Sequence, residues 1–104
     1  MFGRGADRVR YRVLVDDNFH YMDESERYEL GEFDTLEAAV AACKRIVDEF
    51  LTSNYRHGMT AAELRAQYAL FGEDPFVVYP GQETVPFSAR DYAAERVEHI
   101  CRGR

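Results

Sequence analysis

Within residues 11–51 an alternating apolar run, an acid-rich bend and a return strand lead directly into one strongly amphipathic helix. This succession restricts the chain to folds that lay a helix against an antiparallel β-hairpin. From Tyr11 the odd positions read Tyr11, Val13, Val15, Asp17, Phe19 and Tyr21, with Arg10, Arg12, Asp16, Asn18 and His20 between them. Period-two alternation marks a strand with one face in a core, and Asp17 and the outward Leu14 are its two faults. Asp23-Glu24-Ser25 supplies turn formers, after which Tyr28 and Leu30 alternate with Glu29. Gly31 permits a bulge that shifts the phase by one residue and lets Phe33 join Tyr28 and Leu30 on the inner face.

Asp34-Thr35-Leu36-Glu37 matches a capping box with Asp34 as the cap. The helix it opens places Leu36, Ala39, Val40, Cys43, Ile46, Val47, Phe50 and Leu51 on one stripe, and should end between Asn54 and Gly58. Thr60-Ala61-Ala62-Glu63 is a second capping box, opening a shorter helix with a stripe of Ala61, Leu64, Tyr68 and Phe71, stopped by Gly72 and Pro75. Phe76-Val77-Val78-Tyr79 is a short apolar run bounded by Pro75 and Pro80-Gly81, which reads as a third strand. Residues 84–87 offer an optional edge strand limited by Pro86. Ser88 is a third N-cap candidate, before a helix with Tyr92, Ala93, Val97, Ile100 and Cys101 on its apolar side.

The expected order is therefore β-β-α-α-β-(β)-α. This is an α+β fold with a small sheet of three or four strands, an N-terminal β-hairpin and three helices packed mainly on one face. Its 104 residues suit one domain over 10–104, preceded by a partly mobile lead-in over 1–9. Helices on one side leave the other sheet face open, and an open face or edge invites a partner, a second copy included.

Charge is distributed unevenly. The formal net charge is −6, yet residues 1–15 carry four arginines against Asp7, while residues 16–37 carry nine acids against Arg27. An acidic surface repels phosphates and attracts basic partners, so nucleic acid is not an expected ligand. No apolar window is long enough to span a bilayer, and membrane association is not expected. Cys43 and Cys101, far apart and without a secretion signal, read as reduced thiols on buried helix faces of a cytoplasmic protein.

The run Gly31-Glu32-Phe33-Asp34-Thr35, followed by Ala38 and Ala39, resembles the strand-to-helix junction of small sheet-plus-helix modules such as AP2-type DNA-binding domains. That resemblance implies basic strands lying on DNA. The corresponding hairpin here is acidic, so the function is not carried over.

The acidic hairpin is the first place to look for chemistry. Read as a calcium loop from Asp16, it has Tyr21 where a glycine is required and Arg27 at the last ligand position, so the EF-hand pattern fails. A different divalent site from Asp16, Asp17, His20 and Asp23 is one reading; a solvated turn that keeps the hairpin soluble is the other. The same interval carries Phe19, Tyr21, Met22 and Tyr28. If the strand runs on through Tyr21 these rings are core; if it does not, they form an exposed aromatic patch rimmed by carboxylates. His99 and Cys101 stand two apart on a helix and point away from each other, which excludes a local catalytic pair. No zinc, hydrolase, P-loop or dinucleotide motif is present, so no catalytic, cofactor or metal residue is assigned.

The expected function is a small acidic interaction or assembly module that binds a protein partner or a second copy of itself, making a homodimer. Its candidate contact residues are Phe19, His20, Tyr21, Met22 and Glu24. A metal-dependent protein or enzyme built on the hairpin, and an acidic mimic of nucleic acid, are the alternatives.

Overall fold

The computed structural model describes residues 10–20, 27–79 and 87–102. The proposed lead-in over 1–9, the hairpin tip with Tyr21, Met22, Asp23 and Glu24, and most of the optional strand over 84–87 lie outside the described residues. The elements are β1 (Tyr11–Asp17), a 3-10 turn (Asn18–His20), β2 (Tyr28–Phe33), α1 (Leu36–Asn54), α2 (Ala61–Phe71), β3 (Glu73–Val78) and α3 (Ala89–Arg102). The fold is α+β, with an antiparallel sheet in the order β2-β1-β3.

Alternation in β1 sends Val13 and Val15 into the core, where both are fully buried. The register against β2 slips between Val13, opposite Gly31, and Leu14, opposite Glu29. Leu30 is thus the extra residue of a bulge, and Phe33 packs with Tyr11 against the inner cluster, whereas Tyr28 and Leu30, expected on that same face, are left exposed on the edge strand. Leu14, the outward fault in the alternation, lies opposite Phe76 of β3. These two and Val78 form a half-buried apolar strip on the outer face. Arg27 lies over the Phe76 ring at 5.2 Å and binds Asp16 at 2.6 and 3.2 Å, while Arg12 meets Glu29 at 2.9 Å. Among the described residues, no helix covers this face, and its own arginine stems shade its apolar strip.

The third strand starts earlier than its apolar run suggests. Pro75 does not bound β3 but sits inside it, buried, opposite Val15. Its missing N–H is tolerated because β3 is an edge strand. Phe87, expected at the end of a further strand, lies outside any strand and packs against both core clusters.

The core has two parts joined by α1. Its first half lays Ala39 and Cys43 on Val13 and Val15, with Tyr11, Phe33, Ile46 and Val77 around them. Its second half inserts Val47 and Leu51 among Leu64 and Tyr68 of α2 and Ala89, Ala93, Val97 and Ile100 of α3. Cys101, expected among these, is only half-buried. An ionic tie reinforces the α1–α3 contact: Asp48 accepts the Tyr92 hydroxyl at 2.9 Å and Arg96 Nε at 2.9 Å. Burial first, and the Asp48 carboxylate second, push the Tyr92 phenol up to about 12.

The helix starts follow their capping residues, with one correction. Thr35, not Asp34, caps α1, its Oγ1 accepting the Ala38 N–H at 3.1 Å. Asp34 instead lies 3.3 Å from Arg10. Thr60 and Glu63 form the reciprocal box expected for α2, and Ser88 Oγ accepts the Asp91 N–H at the start of α3. Between α1 and α2 the chain turns at Gly58, whose φ of 88° is open to glycine and strained for other residues.

Gly72 ends α2 through close packing. Its backbone is extended, but a Cβ there would fall 2.4 Å from the Tyr68 ring. That ring is buried in the helical core, and its hydroxyl donates to the Glu73 carbonyl at 2.6 Å. Gly72→Ala must therefore displace Tyr68 and is expected to cost about 1–3 kcal/mol, read by urea denaturation. An unchanged midpoint would show that the ring has room to move.

Candidate functional site

The expected contact residues begin where β1 stops. Phe19 occupies an inner-face position if the strand continues, but β1 ends at Asp17 and Phe19 lies in the 3-10 turn, 63 % exposed. The cause is local. Asp17 Oδ1 accepts the Phe19 N–H at 2.9 Å, a turn bond of the kind that competes with a strand ladder. Asn18 then fastens the turn to the end of α2: its N–H donates to the Gly72 carbonyl at 3.0 Å and its Nδ2 to the Tyr68 carbonyl at 2.9 Å. The Tyr68 carbonyl also accepts the Gly72 N–H, so one oxygen holds both the helix cap and the turn.

Docked in this way, Phe19 stacks on Phe71, with ring centroids 5.5 Å apart and 23° between the planes. Phe71 is 51 % exposed and the adjacent Leu70 is 58 % exposed. Phe71 was expected on the buried stripe of α2; as the last residue of that helix it lies past the reach of α1 and α3. The Phe19–Phe71 stack, with the exposed Leu70 next to it in sequence, makes an apolar ledge. His20 belongs to the same turn, while Tyr21, Met22 and Glu24 lie outside the described residues.

Periodicity missed Leu70 and Phe71 as surface residues. Leu70 did carry a signal, since a leucine six positions from Leu64 falls off the stripe that Leu64 and Tyr68 define. The pairing of Asn18 with the α2 terminus had no signal in the local sequence.

At the ends of β1 and β3, two pairs of carboxylates face each other across the strands. Asp16 stands opposite Asp74, and Asp17 opposite Glu73. Like charges directly opposite on paired strands oppose each other. Arg27 engages Asp16 on both oxygens, and the Tyr28 hydroxyl donates to Glu73 Oε2 at 3.1 Å. Burial first and Asp16 second hold the Asp74 carboxyl above its ordinary range, with Arg90 opposing them. Tyr28 is pushed up to about 12, by burial and then by Glu73.

These occupied carboxylates give little room for metal chemistry. Among the described residues, no group of three or more His, Cys, Asp or Glu side chains is placed to hold a metal ion. Asp23, part of the expected metal set, lies outside them. Cys43 is buried against the sheet, where burial and then Asp74 raise its thiol to about 11, so it is a poor nucleophile. His57 lies exposed between α1 and α2, away from that buried thiol.

Asp74 yields a signed prediction. A carboxyl with a raised folded-state pKa contributes stability that is fully present below its unfolded value and lost as pH rises through the folded value. Asp74→Asn should therefore raise the melting temperature at neutral pH, with the gain vanishing below about pH 4. A gain that persists in acid would assign the effect to something other than ionisation.

Comparisons of the chain with protein-family models, with curated proteins and with solved structures found no match, so its function is read from the chemistry of its own surface.

Proposed function

We propose that this protein is a small interaction module that binds other protein chains through the hairpin end and the sheet, and that a second copy of itself is one of its partners. The observation that carries this reading is where large apolar side chains are left in solvent: Phe19, Leu70 and Phe71 at the ledge, and Tyr28 and Leu30, each 43 % exposed, on β2. β2 is an edge strand whose outer side is paired with no described strand. Exposed apolar groups on a free edge are the ordinary material of strand-to-strand association. The inner sheet face is filled by α1, so new contacts must use the edge, the arginine-shaded outer face or the ledge.

Other features accord with a binding protein. Both cysteines are free, which fits a reducing compartment such as the cytosol. No helix among the described residues is long and apolar enough to cross a membrane.

Light scattering across concentration and salt tests the self-association. The expected mass is twice the 12.0 kDa of the chain, retained at high salt because apolar contacts are not screened. Leu30→Lys, which places a charge at the edge, should return the protein to a monomer. A wild-type monomer at every concentration, or a dimer indifferent to Leu30→Lys, would remove β2 as the contact.

A further inference from the structure

We draw no further inference here: the strongest candidate, the groove between α2 and α3 that Arg65 and Arg90 line, holds the Asp91 carboxylate beside the two arginines, and Arg90 already acts on Asp74, so nothing in the structure shows what would occupy it.

Discussion

One backbone oxygen fixes the arrangement at the hairpin end. The Tyr68 carbonyl accepts both the Gly72 N–H that closes α2 and the Asn18 side chain that begins the 3-10 turn. Two elements distant in sequence are thereby locked at a helix terminus, where unsatisfied carbonyls need partners. The Tyr68 ring extends the constraint inward, since it is buried among α1 and α3 residues and requires a glycine at 72. Phe19 and Phe71 are brought face to face as a consequence, each with a large part of its ring in solvent.

The rest of the molecule supplies the rigid support for that corner. α1 joins the sheet-facing cluster around Val13 and Val15 to the helical cluster around Leu51 and Leu64. Burial of these side chains, each on the order of 1.5–3 kcal/mol, outweighs the exposed ion pairs, which typically contribute under about 1 kcal/mol. The ion pairs matter more for where charge ends up. Arg10, Arg12 and Arg27 balance Glu32, Glu29 and Asp16 on or beside the outer face, while at the end of the sheet Arg90 acts on Asp74 and the Tyr28 hydroxyl donates to Glu73.

Most of the fold was legible because its causes are local. The alternation of Tyr11, Val13 and Val15, the bulge at Gly31, the Thr60–Glu63 box and the Ser88 cap are each set by neighbouring residues, and each is found. The misreadings arise where tertiary contacts decide. Alternation carried through Phe19 suggests a longer strand, but the Asn18 bonds to a helix some 50 residues away end it. Pro75 reads as a strand boundary until the edge position of β3 is known. Phe71 matches the α2 stripe by phase, yet it lies beyond the packed part of that stripe. The acidic character of the site was visible in composition, while its assembly from β1, β3 and the α2 terminus was not, because cross-strand register is not written in any one segment.

Leu70 and Phe71 stand in solvent beside Phe19 at a corner held by Asn18. The most direct measurement is the broadening of side-chain NMR signals by a soluble paramagnetic probe in the free protein. Strong broadening is expected of the Leu70 methyls and of the Phe19 and Phe71 rings, with the Leu64 methyls and the Tyr68 ring spared. Protection of Leu70 and Phe71 equal to that of Leu64 would contradict it, showing that the corner is covered and that the docking surface must be sought elsewhere.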